Sequence, residues 1–290
     1  MKTSIIIVSW NVKELLQKCL ESIFKYTKDI NFEVYVIDND SKDGTQNMIR
    51  ENFPNVKLIA NSFNAGFAKA NNQPFEFGVG DEVLFMNPDM EFTENTVKIM
   101  HDFLDLHPNA DIATCALKYP DKERQYNIKR LPTFLSQLLI LLKLHHFLSF
   151  LPSIQKYLAK DFNYNSESVV ENIMGAFVYA RTKKFIELGK WNEDYWLWWE
   201  DVDLCKKAKD EGMKIMYTPE TSVIHHEGKS FAQVPSVPKQ KRFITGMLIY
   251  FKKYYPYYQY LILKILSPLS IALAQIAGAL KIKPRPQSKV

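Results

Sequence analysis

Four short apolar runs near the amino terminus leave this chain few folds to choose from. They are residues 3–9 (Thr-Ser-Ile-Ile-Ile-Val-Ser), 32–37 (Phe-Glu-Val-Tyr-Val-Ile), 56–59 (Val-Lys-Leu-Ile) and 83–86 (Val-Leu-Phe-Met). Near-continuous runs rich in β-branched residues mark strands buried on both faces, which is the habit of parallel sheets. Parallel neighbours need crossovers, and helical spacing appears between the runs. Leu15, Leu16, Cys19, Leu20, Ile23 and Phe24 recur on one helical face, a second helix is predicted at about Thr45–Glu51, and a third carries Asn71 and Asn72. Polar residues close each strand. The alternation predicts an α/β, doubly wound nucleotide-binding half. No segment matches GxGxxG or GxxxxGK[ST], which argues against a dinucleotide fold or a P-loop.

The fourth run ends abruptly in Asn87-Pro88-Asp89-Met90. Pro88 cannot donate to a sheet ladder and pushes Asn87 towards an extended conformation. Asp89 is then a lone carboxylate at the carboxyl end of a buried strand, the edge where open α/β sheets bind ligands. Such an acid suits a hard divalent cation that takes its other ligands from a diphosphate and water, although a strand-terminating aspartate looks the same in sequence. Asp38, at the end of the second strand, is placed to accept from ribose hydroxyls or a base edge. Asp40 and Asp43 fit a turn that satisfies its own backbone.

Further along, residues 91–110 are expected to be a helix and 111–117 a strand. Residues 134–151 are strongly apolar but hold Lys143, His145 and His146, and read as an interfacial helix or an acceptor-binding wall. The adjacent histidines point apart on a helix and are taken as structural or interfacial. Residues 161–170 are expected to be a loop and 172–181 one strand, with Gly175 allowing close approach of backbone or ligand. Residues 191–199 form an aromatic block that runs straight into Glu200, Asp201 and Asp203. Acids favour a helix amino terminus for dipole reasons alone. Aromatics beside adjacent carboxylates also fit a sugar-binding floor next to a general base. Short strands at 214–218 and 222–224 lead to His225, an imidazole that could reach the same metal as Asp89.

Charge is unevenly distributed. Beyond Glu227 there are eleven Lys and Arg and no Asp or Glu, leaving 26 basic against 32 acidic residues before it. A basic tail suits an anionic surface. Its Phe251–Tyr258 stretch interleaves lysines with aromatics, and residues 261–280 are apolar, so the surface expected is a membrane rather than nucleic acid. Lys264, Pro268 and Gln275 favour an interfacial helix over a spanning one; a pair of core helices is the alternative. Three widely spaced cysteines suggest a reducing compartment, and the amino terminus lacks a signal-peptide pattern.

Taken together these segments resemble glycosyltransferase family 2, most nearly its bacterial rhamnosyltransferase-like branch. The resemblance rests on Ile-Val-Ser-Trp-Asn at 7–11, residues 36–45, residues 64–72, Asn87-Pro88-Asp89, Gly175-Ala176, residues 200–204 and residues 225–230, in that order. It implies a GT-A fold: a Rossmann-like nucleotide-sugar half at 1–110 and an acceptor and catalytic half at 111–230 on a mixed sheet, followed by a helical membrane-associating tail at 231–290. It implies that Ser9, Trp10, Asn11, Asp38, Asn64, Gly66, Phe67, Asn71, Asn72 and Asn87 surround the nucleotide. Asp89 takes the place of the last acid of the family's DxD motif, with Asn87 where the first acid usually sits, so His225 gains weight as a ligand for Mg²⁺ or Mn²⁺. Asp201 matches the family's catalytic base, with Glu200 as second choice.

The function expected is inverting transfer of rhamnose or another hexose from a dTDP- or UDP-sugar to a lipid-linked or growing cell-surface glycan. The place expected is the cytoplasmic face of the cell membrane, peripheral or anchored by the tail. The competing expectation is a catalytically silent sugar-nucleotide-binding or scaffold protein on the same fold. Donor sugar, acceptor and linkage are set by pocket residues outside these motifs.

Overall fold

The computed structural model describes residues 1–227 and 236–279; residues 228–230 of the last motif, and 231–235 and 280–290 of the tail, lie outside the described residues. The four expected strands are β1 (Lys2–Ser9), β2 (Asn31–Asp38), β3 (Lys57–Ala60) and β4 (Glu82–Met86). Between them run α1 (Lys13–Tyr26), α2 (Thr45–Asn52) and α3 (Phe67–Asn72). All four strands are parallel, in the order β3-β2-β1-β4. The sheet grows from β1 in one direction and then crosses to its other side, which opens a crevice beyond the carboxyl ends of β1 and β4. The central strand is buried on both faces. Ile5 and Ile7 pack with Leu16, Cys19, Leu20 and Ile23 of α1, while Ile6 packs with Tyr35, Ile37 and Phe85.

The sheet continues through β5 (Met90–Phe92), α4 (Thr96–Leu106), β6 (Ile112–Lys118), β7 (Arg124–Gln125), β8 (Ile128–Lys129), α5 (Phe134–Leu141), α6 (Pro152–Tyr157), β9 (Ser168–Val170), β10 (Asn172–Ile173), β11 (Phe177–Arg181), α7 (Thr182–Glu187), α8 (Glu200–Asp210) and β12 (Ile215–His225). β11 inserts antiparallel between β4 and β6; β12 lies parallel to β6 and antiparallel to β5. The sheet is therefore mixed beyond β4, as a two-half architecture requires.

Several expected elements take other forms. Residues 91–110 are not one helix, because Met90 and Phe92 are buried with Glu91 between them facing outward, a period of two that makes a strand. Residues 134–151 break after α5 at Lys143, whose φ of 59° ends the helix. The end of the 161–170 loop is β9, paired with β12. Residues 172–181 split at Gly175 into β10 and β11. The two short strands at 214–224 are the single strand β12, which shifts register between Thr218 and Ser222.

The tail folds back on residues 134–210 as α9 (Ser236–Tyr254) and α10 (Tyr257–Ala279). A third apolar core forms where Ile244, Met247, Tyr250 and Phe251 of α9 meet Tyr195, Trp199, Leu141 and Leu263. Polar side chains lock the contact. Lys143 Nζ donates to Gln240 Oε1 at 2.7 Å, Gln240 Nε2 to Ser270 Oγ at 2.9 Å, and Ser270 Oγ to the Leu141 carbonyl at 2.6 Å. α10 is apolar on two faces. Leu263, Ser267, Ser270 and Ala274 are buried, while Leu261, Ile265, Leu269 and Ile276 are exposed.

Candidate active site

The loops after β1, β2 and β3 meet above the crevice and hold one another. Asn39 N–H donates to the Ser9 carbonyl at 2.9 Å, and its side chain donates to the Gly66 carbonyl at 3.0 Å. Asn11 N–H donates to Ser41 Oγ at 2.9 Å, and Asn11 Oδ1 accepts from Lys42 N–H at 2.7 Å. Trp10, between Ser9 and Asn11 in sequence, is half-buried. Ser9 and Asp38 are register partners at the strand ends and are fully buried. Asp38 Oδ2 accepts from Gln46 Nε2 and Ser41 N–H, but Asp38 Oδ1 and Ser9 Oγ have no partner. Two unsatisfied buried oxygens at adjacent strand ends are costly unless a ligand supplies donors.

The 64–72 segment approaches from the side. Asn64 Oδ1 caps Gly66 N–H at 3.0 Å, and Gly66 adopts φ +84°, a conformation that disfavours side chains. A Cβ there would also strike the Trp196 carbonyl at 2.4 Å. Phe67 N–H donates to that carbonyl at 2.8 Å, so the nucleotide-side loop is pinned to the aromatic block. Asn71 donates to the Phe67 carbonyl within its own helix. Asn72 is committed elsewhere: its amide donates to the Trp191 carbonyl and Glu193 Oε1 and accepts from Trp191 N–H, so its role in the fold is a clasp between the two halves.

The acid and imidazole at the end of β4 meet through the β5–β12 pairing. That register sets His225 opposite Met90, and His226 N–H donates to the Asp89 carbonyl at 2.9 Å. Asp89 Oδ1 and His225 Nε2 are 3.4 Å apart and both residues are buried; Asn87 Nδ2 lies 3.4 Å from the same nitrogen. Gln125 fixes the tautomer. Its Nε2 donates to Glu227 Oε2 at 3.1 Å, which leaves Oε1 to accept from His225 Nδ1 at 2.7 Å. Nε2 of the ring then faces the carboxylate oxygen. Two electron-pair donors at that separation, with an amide orienting the ring from behind, fit a shared divalent cation.

A different group, Glu82, His101 and Asp105, also brings ligand-type atoms within 4.8 Å of one another. It lies at the amino-terminal end of β4, roughly 20 Å from Asp89 at 3.3 Å per residue. There His101 is held between Glu82 Oε2 at 2.8 Å and Asp105 Oδ2 at 3.5 Å, far from the crevice.

The half of the chain after residue 110 reaches the crevice through Gly175 and Ala176. Asn87 N–H donates to the Ala176 carbonyl at 2.9 Å, and Gly175 N–H donates to Asp201 Oδ2 at 2.9 Å. A Cβ at Gly175 would lie 3.1 Å from Asp201 Cβ, so the glycine is what lets α8 come this close. Asp201 Oδ1 accepts from Val202 N–H at 2.8 Å. Burial raises the Asp201 carboxyl above the usual aspartate range, and the Gly175 and Val202 amides oppose that rise. Glu200 is 4% exposed, its Oε2 lacks a partner, and burial followed by the Asp201 charge holds its pKa well above the usual range. Asp201, half-buried, is the member of the pair whose two carboxyl oxygens are hydrogen-bonded by backbone amides.

Gln46 and Gln125 carry no motif and were not foreseen as site residues; Glu227 lies in the 225–230 motif but was not singled out. Neither was Asp203, fully buried on α8, which accepts from Lys253 Nζ and Tyr254 Oη of α9 at 2.9 Å each and from Tyr195 Oη at 3.2 Å. The run of acids at 200–203 was a signal for this position, but its partners lie 50 residues away.

Comparison with known proteins adds relatives. The model for glycosyl transferase family 2 matches residues 4–168, more than half of the chain. An N-acetylglucosaminyl-diphospho-decaprenol L-rhamnosyltransferase of Mycobacterium tuberculosis is 25% identical over 214 residues, 70% of this chain and 69% of that protein. Rhamnosyltransferase WbbL of Escherichia coli K12 is 24% identical over 239 residues, 78% and 85% of the two chains. Among solved structures, the mannosyltransferase PcManGT from Pyrobaculum calidifontis, in complex with GDP-Man and Mn²⁺, superposes with a TM-score of 0.57 at 16% identity, covering 97% of this chain and 76% of that one. S. aureus TarS 1–349 with UDP-GlcNAc gives a TM-score of 0.53 at 19% identity over 86% and 67%. These likenesses show a GT-A fold.

Proposed function

The chain belongs to glycosyl transferase family 2 and is a glycosyltransferase, and from that premise we propose inverting transfer of a hexose, rhamnose being the first choice, from a dTDP- or UDP-sugar to a lipid-linked or growing cell-surface glycan. The observation that carries this reading is the Gly175–Ala176 bridge, which ties the strand end bearing Asn87 and Asp89 to the helix bearing Asp201. The names of the two rhamnosyltransferase relatives support the choice of sugar, and one of them names a diphospho-lipid acceptor.

Asp38 and Ser9 accept from the nucleoside, which answers their unpartnered oxygens. Asp89 and His225 would hold Mg²⁺ or Mn²⁺, which would supply Lewis-acid neutralisation of the diphosphate. Asp201 takes the proton of the acceptor hydroxyl as that oxygen bonds to the anomeric carbon. The bond from the anomeric carbon to the diphosphate oxygen breaks, the nucleoside diphosphate departs with the electron pair, and the configuration inverts. The exposed apolar stripe of α10 lies on the cytoplasmic face of the membrane, close to a lipid-linked acceptor.

A donor panel with and without Mn²⁺ tests this reading for the wild type and Asp201→Asn. One donor should turn over, with the variant slower by about 10²–10⁴-fold and donor affinity retained. If the wild type binds no nucleotide-sugar, the reading fails.

A further inference from the structure

A cavity of about 260 Å³ opens between the 194–197 turn and the first turns of α9, and its walls include Trp196, Lys241, Arg242, Thr245 and Asp194. The Arg242 guanidinium lies over the Trp196 ring at 4.1 Å, which holds the fork in place. Burial lowers Arg242, and it lowers Lys239, one turn before it, and Lys143, which bonds Gln240. Among the described residues none of Lys143, Lys239, Lys241 and Arg242 forms an ion pair, and the sequence from residue 228 onward holds no Asp or Glu. Asp194 lies on the exposed rim without pairing to either cation. Lys241 is exposed on the cavity wall, whereas Arg242 is partly buried there with no carboxylate partner, an arrangement whose free-energy cost an anionic ligand would recover.

The position of the cavity narrows the choice of anion. The Trp196 carbonyl binds Phe67 N–H on the nucleotide side, and Trp199, three residues on, precedes the helix that carries Asp201. On the other side α9 packs on α10, whose exposed stripe holds Ile265 and Leu269. The cavity thus lies on the turn that leads into α8 and on the helix packed against α10, a position that suits the phosphates of a lipid-linked sugar whose sugar reaches Asp201. We propose that this cavity is the subsite for the phosphate groups of a lipid diphosphate acceptor, with Arg242 and Lys241 as their ligands and Thr245 as a neutral donor. The proposal rests on the acceptor class given above.

Direct titration tests it apart from transfer. A short-chain alkyl diphosphate, soluble without a membrane, should bind the full-length wild type and Asp201→Asn alike. Arg242→Gln and Lys241→Gln should each weaken it by about ten-fold or more, with Arg242→Lys in between. In transfer assays with a sugar diphosphate on the same short chain, the Gln variants should raise acceptor KM while kcat and donor KM stay put. The neutral alkyl glycoside of that sugar should be insensitive to them. No binding by the wild type, or equal binding by the Gln variants, overturns the subsite. Variants that lose only flotation on phosphatidylglycerol vesicles, with unchanged alkyl diphosphate affinity, assign the cations to general membrane charge and also overturn it. Inorganic diphosphate binding as tightly as the alkyl diphosphate would assign the site to a free anion instead. Intact titration without any transfer would refute the activity and leave the subsite standing.

Discussion

Glu200 and Asp201 share one helical turn, and burial raises both carboxyls, Glu200 further. For an acid whose folded pKa exceeds its unfolded one, the folded state binds the extra proton, so stability falls as pH climbs from the ordinary glutamate range through the raised value. Glu200→Gln should therefore flatten the decline of melting temperature between weakly acid and alkaline pH while keeping turnover within a few-fold. Asp201 should set an acid limb of kcat/KM above the usual aspartate range, which a pH–rate profile reads directly. On the metal side, Gln125 orients His225 only because Glu227 orients Gln125. Gln125→Leu should weaken Mn²⁺ affinity by about 10–100-fold, measured by titration of the free ion, without loss of nucleotide binding in the absence of metal.

At the scale of elements, α8 is held from two sides. Gly175 lets β10–β11 approach its first turn, and Asp203 receives Lys253 and Tyr254 from α9. Lys207 Nζ adds a contact at 3.3 Å to Asp203 Oδ2. Removing the buried carboxylate leaves those donors unmatched, so Asp203→Ala should cost about 3 kcal/mol, seen as a lower urea midpoint. Gly175→Ala acts differently. Its Cβ would crowd Asp201, so kcat should drop while donor affinity and the urea midpoint change little.

For the whole molecule, the two tail helices differ in how they are used. α9 supplies core residues to the acceptor half, so deleting the tail outright would uncover Tyr195 and Trp199. The helix from Tyr257 to Ile276 is long and apolar enough to cross a membrane by length and composition. One of its faces packs on Gln240 and Leu141 and the other is exposed. Ile265→Glu with Leu269→Glu, both on the exposed stripe, should abolish flotation with anionic vesicles while leaving the melting temperature unchanged. Retained flotation would remove the stripe from membrane binding.

The sequence alone determined the parallel half and the polar stops at the carboxyl ends of its strands, because unbroken apolar runs and polar stops are local properties of the chain. Asp38, Asp89 and Asp201 could each be singled out because a carboxylate at the end of a strand or the start of a helix is conspicuous in one dimension. Only the tertiary structure decided what surrounds them. The pairing of β5 with β12 sets His225 beside Asp89, and the Gly175 amide meets Asp201, across separations that no local spacing encodes. The same holds for Asn72, whose place in a binding motif gave no hint that Trp191 and Glu193 would occupy its amide. Which face of the tail helices would be buried depended on Gln240 reaching Ser270 and on Ser270 reaching the Leu141 carbonyl of α5, a matter of packing rather than of pattern.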